Sequence, residues 1–116
     1  MQIIVVGCGK VGASLAAVLI EQKYDVVIVE NDPELMQNAA DLDCIKISGV
    51  PIDRDVLKQA GIETADIVCA VTQSDNINIM VSQIASDVFN IKKTITRIFN
   101  PVNRDVFDAL ALEASR

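Results

Sequence analysis

The chain has 116 residues, a formal net charge of −6 at neutral pH, and a composition in which 51% of the residues are hydrophobic and 3% are aromatic. This length accommodates one domain with an aliphatic core, over residues 1–116, but excludes a nucleotide domain followed by a separate substrate domain. The negative charge argues against nucleic-acid binding, which requires clustered Lys and Arg, because Lys92–Lys93 is the only basic pair.

The three cysteines, Cys8, Cys44 and Cys69, show no C-x-x-C spacing. This predicts neither a disulfide framework nor a metal site, so we expect reduced thiols in a cytoplasmic protein. The N-terminus has no basic segment before an apolar one, and every apolar stretch is interrupted well before the roughly 18 residues that a membrane span needs. We therefore expect no signal peptide and no direct membrane insertion.

The first predicted element is a buried strand, Ile3–Val6, followed at once by Gly7-x-Gly9-x-x-Gly12 and an apolar helix. In such a junction the first glycine permits the turn, the second lets a pyrophosphate approach the backbone, and the third allows the helix to pack on the strand. The unpaired N–H groups at the start of that helix favour a phosphate. The helix is expected to end near Gln22, with an apolar face made by Leu15, Val18 and Leu19.

The second predicted strand, Val26–Val29, is preceded by Asp25 and followed by Glu30, which lies 18 positions after Gly12. An acidic side chain there can accept hydrogen bonds from both ribose hydroxyls of an adenosine, and its charge would repel a 2′-phosphate. The pair of motifs therefore favours NAD or a non-phosphorylated adenosine nucleotide over NADP. The alternative is a scaffold that keeps the motifs without a ligand, since glycines at these offsets also occur in ordinary turns.

Strand and helix patterns continue to alternate in the rest of the chain, with turn and cap residues at their ends. The predicted elements are a helix from Pro33 to about Ala40, strand Cys44–Ile47, a helix from about Asp53 to Gln59, strand Ala65–Thr72, a helix from about Asn76 to Phe89, strand Thr94–Ile98, and a last helix opened by Asn100–Pro101.

This alternation predicts an α/β fold: a Rossmann-like doubly wound parallel sheet with right-handed crossovers and strand order 3-2-1-4-5. The sixth strand of a full Rossmann sheet would begin near Leu112, where the sequence only continues from the last helix, so that strand is expected to be missing. In the last helix, Val106, Phe107 and Leu110 are expected to be buried.

Several segments together resemble the N-terminal lobe of RCK domains, which are also called KTN or TrkA-N domains. The segments are the glycine loop, Glu30, Leu57–Ile62, Ala65–Asp66, Ala70–Thr72 with Asp75 and Asn78, and Arg97–Pro101. The most specific of them, A-G-I-x-x-A-D followed by A-V-T-x-x-D-x-x-N, is not expected in a generic dehydrogenase. The resemblance covers essentially the whole chain and implies a cytosolic regulator, peripheral at the inner face of the membrane, of a potassium transporter or channel subunit.

The resemblance also implies that NAD(H) or an adenine nucleotide (ATP, ADP or AMP) changes the geometry of a homo-oligomer, a dimer or a larger ring, and so gates potassium flux. In this family some members carry an arginine at the position of Lys10 that reaches a terminal phosphate. Thr72 and Asp75 match the end of the fourth strand, and Arg97 matches a basic residue at the end of the fifth. The candidate cofactor contacts are therefore Gly7, Cys8, Gly9, Lys10, Val11, Gly12, Glu30, Asn31, Thr72, Asp75 and Arg97.

Some of these candidates have an equally simple structural interpretation. Lys10 can be a solvated lysine at a helix start, Arg97 can form a surface ion pair or an interface contact, and Cys8 can be a redox sensor or a small packing residue. Strand ends and helix caps alone would explain Asp32, Thr72, Ser74 and Asp75. Relatives often have Gly-Asp after the third strand; here Gly49-Val50-Pro51 predicts an apolar or backbone contact to the base.

A catalytic function has little support in the sequence. Hydride transfer normally needs a proton donor or acceptor beside the reacting carbon, yet the chain has no histidine and one tyrosine. We expect no catalytic residues and no enzyme activity. The alternative is a dinucleotide-binding fragment of an NAD-dependent oxidoreductase.

Overall fold

The computed structural model describes residues 1–114, apart from the side chains of residue 107 and of residues 110–114. Five parallel strands form one sheet in the order β3-β2-β1-β4-β5, which confirms the predicted fold class and strand order. The strands are β1 Gln2–Val6, β2 Asp25–Glu30, β3 Ile45–Ser48, β4 Ile67–Ala70 and β5 Lys93–Thr96, and the helices are α1 Lys10–Glu21, α2 Pro33–Met36, α3 Arg54–Gln59, α4 Asp75–Gln83 and α5 Pro101–Ala114.

Side-chain caps fix the starts of three helices where the sequence predicted them. The Asp32 carboxylate accepts the Glu34 N–H at 2.9 Å, with Pro33 as the first helical residue. Asp53 and Ser74 cap α3 and α4 in the same way. Since a helix start leaves several N–H groups without intrahelical partners, these short polar side chains determine where each crossover begins.

Alternating residues of the central strands belong to two apolar clusters, one on each face of the sheet. Ile4 and Val6 of β1 pack with Leu57 and Val81 beneath α3 and α4. Ile3 and Val5 point to the opposite face, toward Ala16 of α1 and other small or aliphatic side chains. Because both faces are covered, the central strands are apolar throughout, as expected for a parallel sheet.

Two burial predictions for helical residues are wrong. Val18 is half exposed because α1 contacts the sheet through Gly12 and Ala16, one turn apart, which directs position 18 to the outer side. Val106 is 52% exposed, together with Val102 one turn earlier, so this stripe of α5 is not covered by the described residues. The predictions for Phe107 and Leu110 fall outside the described side chains.

Several boundaries also differ from the predictions. The helix that begins at Pro33 is α-helical only to Met36, and the fifth strand ends at Thr96, before the predicted Ile98. The fourth strand is limited to Ile67–Ala70, shorter than the predicted Ala65–Thr72. The long helix after it changes from α-helix to a π-helical segment, Ile84–Val88, before the chain turns into β5. The widened turn allows the Phe89 N–H to reach the carbonyl of Ile84, five residues earlier.

A buried amide, Asn78, joins the carboxyl ends of β4 and β5. Its Oδ1 accepts hydrogen bonds from the Thr72 N–H at 2.9 Å and the Thr72 hydroxyl at 2.7 Å. Its Nδ2 donates to the carbonyls of Thr72 at 3.0 Å and Arg97 at 2.8 Å. Every hydrogen-bonding group of this fully buried side chain is used, so Asn78 fixes both loops at this edge of the sheet.

We expect Asn78→Ala to lower the free energy of unfolding by about 2–4 kcal/mol, because it leaves buried donors and acceptors of two loops without partners. Asn76→Ala, an exposed asparagine of the same helix, is the matched control and should cost about 0.5 kcal/mol or less. Urea unfolding of both variants measures the difference. Equal losses would contradict the role assigned to Asn78.

Candidate functional site

The loop between β1 and α1 depends on two of its glycines for its shape. Gly7 has φ +107°, and a Cβ there would lie 2.8 Å from the backbone nitrogen of Thr72. A Cβ at Gly12 would overlap the carbonyl oxygen of Gly7. The lack of a side chain at Gly7 lets the loop pack against the end of β4. The lack of a side chain at Gly12 lets α1 pack against the loop.

Gly9 has a different environment from the other two glycines. A Cβ there would have only the Gln73 Nε2 within 4 Å, at 3.8 Å, so the backbone at Gly9 borders open space. Gly9 is also the N-cap residue of α1, and in the described part of the chain no side chain caps its first turn. The first-turn N–H groups, with the positive end of the helix, are therefore available to an anion.

The Glu30 carboxylate connects this loop to the end of β2. Its Oε1 accepts the Cys8 N–H at 2.8 Å, and its Oε2 accepts the N–H groups of Asn31 and Asp32, each at 3.0 Å. The side chain is only 6% exposed. Since a carboxylate offers about four acceptor positions, three backbone bonds leave room for a ligand hydroxyl.

A cavity of about 340 Å³ lies at the carboxyl ends of β1, β2 and β4 and is bordered by Gly9 and Glu30. Its polar lining comes from the loops that follow β1, β2 and β4, and its apolar lining comes from α2, α4 and the loop after β3. The further lining residues are Asn31, Asp32, Leu35, Pro51, Thr72, Gln73, Ser74 and Ile77. Cavities of open parallel sheets bind ligands at this place, where the strand order reverses.

A second cavity, of about 570 Å³, lies beside the first at the ends of β4 and β5 and shares Gln73 and Ser74 with it. Asp75 and Arg97 line this second cavity and not the first. The Arg97 guanidinium lies over the Phe99 ring, 4.0 Å from its centroid, as in a cation–π contact.

The candidate residues thus separate into groups. Gly9, Glu30, Asn31 and Thr72 line the first cavity, whereas Asp75 and Arg97 line the second. The other candidates form the loop and the start of α1, and they are Gly7, Cys8, Lys10, Val11 and Gly12. Among these, Cys8 is buried and Lys10 and Val11 are exposed.

The Cys8 thiol is fully buried in the core on the α1 side of the sheet. Burial, the nearby Glu30 carboxylate and Cys44 raise the pKa of this thiol above its ordinary value. Burial also raises the pKa of Cys69 to about 11. Thiols with raised pKa values are poor nucleophiles, so the geometry favours a packing role for Cys8 over a redox role.

The TrkA-N domain profile matches residues 3–115. The chain belongs to the TrkA-N domain family. It is 32% identical over 97% of its length to the Trk system potassium uptake protein TrkA of Streptomyces coelicolor, and it covers 51% of that protein. It is 35% identical, again over 97%, to a TrkA homolog of Methanothermobacter thermautotrophicus and covers 52% of it. This TrkA-N domain thus spans about half the length of these curated relatives.

Solved structures with the same fold include ligand-binding proteins of several kinds. The Kef C-terminal domain of Shewanella denitrificans, in an AMP-bound form, superposes with a TM-score of 0.84 at 17% identity, over 98% of this chain and 69% of that one. The UDP-glucose 4-epimerase of Bifidobacterium longum, in complex with NAD⁺ and UDP, has a TM-score of 0.66 at 16% identity, over 97% of this chain and 50% of that one. At these identities the likeness concerns the fold.

The sequence did not single out several cavity residues of this TrkA-N domain. Leu35 and Ile77 read only as apolar positions of helices, and Gln73 as a residue of the loop after β4. Pro51 is buried and lines the cavity where the sequence predicted an apolar contact in place of a carboxylate. For Leu35, Gln73 and Ile77 the sequence signal was only their place in a loop after a strand or in the first turn of a helix.

The Asp75 carboxylate holds the connection between β5 and α5. It accepts hydrogen bonds from the Phe99 N–H at 2.7 Å, the Asn100 N–H at 2.9 Å and the Asn103 side chain at 3.0 Å. These bonds, from Phe99, Asn103 and Asn100 in order of their effect, hold the pKa of Asp75 below its ordinary value of 3.8. The ionised carboxylate is therefore the form that the folded chain selects.

A lowered pKa in the folded state means that Asp75 contributes stability above pH 3.8, and that the contribution is lost as the pH falls through the lowered value. We expect Asp75→Asn to lower the urea midpoint at neutral pH, and the deficit to shrink as the pH falls below 3.8. Asp87→Asn, an exposed carboxylate with no such bonds among the described residues, is the control. A deficit independent of pH would contradict this assignment.

Proposed function

We propose that this TrkA-N domain is a cytoplasmic nucleotide-binding regulatory domain of a potassium transporter or channel, with NAD(H) or an adenine nucleotide as its ligand. The observation that carries the proposal is the cavity at the switch point, where Gly9 leaves the backbone open and α1 presents uncapped N–H groups. Glu30 lies on the same cavity with its charge already oriented by three backbone bonds.

Each part of an adenosine phosphate has a matching surface in this cavity. The phosphate would lie at Gly9 and the first turn of α1, and the ribose hydroxyls beside Glu30. Leu35, Pro51 and Ile77 offer apolar contacts for the base. An AMP-bound Kef domain and an NAD⁺-bound epimerase are among the proteins with this fold, which supports nucleotide binding as a use of the fold.

Regulation is favoured over catalysis by the position of the one tyrosine. Tyr24 lies at the opposite edge of the sheet from the glycine loop, and the chain has no histidine. Although the epimerase is an enzyme, the relatives matched over most of this chain are named as potassium uptake proteins. The oxidoreductase-fragment alternative would need a free proton-transfer group beside the cavity. Of the two carboxylates in the described lining, Glu30 accepts three backbone N–H groups and Asp32 caps α2.

Exposed apolar side chains around α5 support assembly into a homo-oligomer. Phe99, Val102 and Val106 are each more than half exposed, and Ile95 of the edge strand is 44% exposed. Grouped apolar exposure of this kind marks an interaction surface. A nucleotide that binds one arrangement of such an oligomer more tightly would shift the population toward it, and this shift would gate the membrane partner.

The membrane partner would supply the membrane-spanning part. Among residues 1–114, no helix combines the length and hydrophobicity needed to span a bilayer. A regulator of this kind would act at the inner face of the membrane through contact with the transporter. The names of the Streptomyces and Methanothermobacter relatives support a Trk-type potassium uptake system as that partner.

Gly9→Ala tests the proposed site without disturbing the fold. The added methyl group meets only the Gln73 side chain, so stability should stay within about 1 kcal/mol, while the phosphate loses its approach to the backbone. We expect the affinity for the tightest ligand among NAD, NADH, ATP, ADP and AMP to fall about tenfold or more by calorimetry. Ser14→Ala, on the exposed side of α1, is the control. Unchanged affinity in Gly9→Ala would contradict the proposal.

The charge of Glu30 predicts discrimination against a 2′-phosphate. We expect AMP to bind about tenfold more tightly than adenosine 2′,5′-diphosphate, because the extra phosphate would lie beside a carboxylate. The two ligands differ only in that phosphate, so they are a matched pair, and competition against a fluorescent adenine nucleotide measures both. Equal affinities would place the ribose away from Glu30.

A further inference from the structure

A groove of about 730 Å³ lies at the amino ends of β1, β2 and β3, on the opposite edge of the sheet from the nucleotide cavity. The segment A-G-I-x-x-A-D, the first half of the most specific part of the sequence resemblance, borders it through Ala60, Gly61 and Ala65. This segment has no residue in the nucleotide cavity. The groove is therefore the feature of the molecule that the proposed function leaves unexplained.

The floor of the groove is an apolar row that crosses three strands. Ile45 of β3 pairs with Val27 of β2, which pairs with Ile4 of β1. Ile4 is buried, Val27 is partly buried and Ile45 is 62% exposed, so the row becomes more open toward the edge strand. Because α3 has only six residues and the small Ala60, Gly61 and Ala65 follow it, this end of the sheet face stays uncovered by the described residues.

The charge at the rim is one-sided. Asp25 and Asp43 line the groove, and none of its fifteen lining residues is Lys or Arg. In the described structure neither of these two carboxylates accepts a side-chain or backbone hydrogen bond, whereas the neighbouring Asp66 is occupied by the Gln2 N–H at 2.8 Å. The rim of the groove thus offers two carboxylates that accept no hydrogen bond among the described residues, around an apolar floor.

We propose that this groove docks a short segment of the membrane partner that carries Lys or Arg among apolar residues. Aliphatic side chains of the segment would cover Val27 and Ile45, and its cationic side chains would lie beside Asp25 and Asp43. The inference rests on the proposed membrane partner, because the cytoplasmic loops of membrane proteins carry an excess of Lys and Arg. A net charge of −6 on the chain would further attract such loops.

The position of the groove suits this role. Docking at the amino ends of the strands leaves the nucleotide cavity at their carboxyl ends open, so both sites can be occupied together. The exposed stripe of α5 is also separate, since none of its residues lines the groove. Ligand binding, self-association and partner docking would thus use three different surfaces of the same small domain.

The test titrates the isotope-labelled protein with a blocked hexapeptide of alternating lysine and leucine, followed by NMR at about 0.15 M salt. We expect the amide shifts to map to residues 24–27, 43–45 and 60–65, and the affinity to fall about tenfold in the double variant Asp25→Asn/Asp43→Asn. The control, Glu34→Gln/Asp87→Asn, removes the same charge outside the groove and should change affinity less than about twofold. Ile45→Thr, which keeps a β-branched residue on the edge strand, should also weaken binding.

Two further peptides separate the contributions of floor and rim. A hexapeptide of alternating lysine and serine should bind more weakly, because it cannot cover the apolar floor. A hexapeptide of alternating glutamate and leucine should not bind, because its charges would lie beside the carboxylates of the rim. An equal loss of peptide affinity in both double variants, or amide shifts that map outside the groove, would overturn the proposal. Shifts in the groove that depend on protein concentration alone would also overturn it, because they would indicate that a second copy of this chain binds there.

Nucleotide titration of the groove variants distinguishes this inference from the proposed function. Unchanged nucleotide affinity together with lost peptide binding supports the groove as an independent docking site. If the wild-type chain bound no nucleotide but the peptide still mapped to the groove, the proposed function would fail while the docking surface would stand.

Discussion

The arrangement of the candidate site depends on one buried carboxylate. Glu30 accepts N–H groups from the β1 loop and from the turn after β2, so a single side chain sets the distance between the two loops that border the cavity. A charge that is 6% exposed is tolerable in the core because these three charge-assisted bonds replace water. The same carboxylate that positions the loops also borders the cavity proposed for the nucleotide, so in the proposed function folding and recognition share one group.

Asn78 and Asp75 perform the corresponding task on the other side of the switch point. Asn78 joins the ends of β4 and β5, and Asp75 holds the turn into α5 by its N–H groups. Thr72 links Asn78 to the glycine loop, because its N–H and hydroxyl donate to the Asn78 amide oxygen and its backbone packs against Gly7. Hydrogen bonds of buried or partly buried polar side chains thus join the loops at this end of the sheet.

The sequence predicted the fold well because its signals are local. Gly7 and Gly12, the caps at Asp32, Asp53 and Ser74, and the alternation of strands and helices determine where elements start and how they connect. A parallel sheet with right-handed crossovers then leaves few possible strand orders.

Predictions that depend on long-range packing were less successful. Val18 and Val106 have the periodicity of buried residues, but periodicity does not tell which side of a helix the sheet covers. In α1 the side that faces the sheet is the one with the small residues Gly12 and Ala16, which permit the closest approach of the helix to the sheet. Sequence patterns also do not show that the Asp75 carboxylate bonds to the β5–α5 turn and lines the second cavity, apart from Thr72 in the first.

That second cavity gives the proposed regulator a short path from ligand to surface. Gln73 and Ser74 line both cavities, and the next residue, Asp75, holds the N–H groups of Phe99 and Asn100 at the base of α5. A ligand that moved this loop would therefore act directly on the start of the exposed apolar stripe. The five-stranded sheet is a poor route by comparison, because its continuous ladders and filled faces resist deformation. If the nucleotide of the proposed function favours one oligomer over another, its contacts must differ between the two arrangements. Gln73 and Ser74 are the residues of the nucleotide cavity that lead directly to Asp75 and the start of α5.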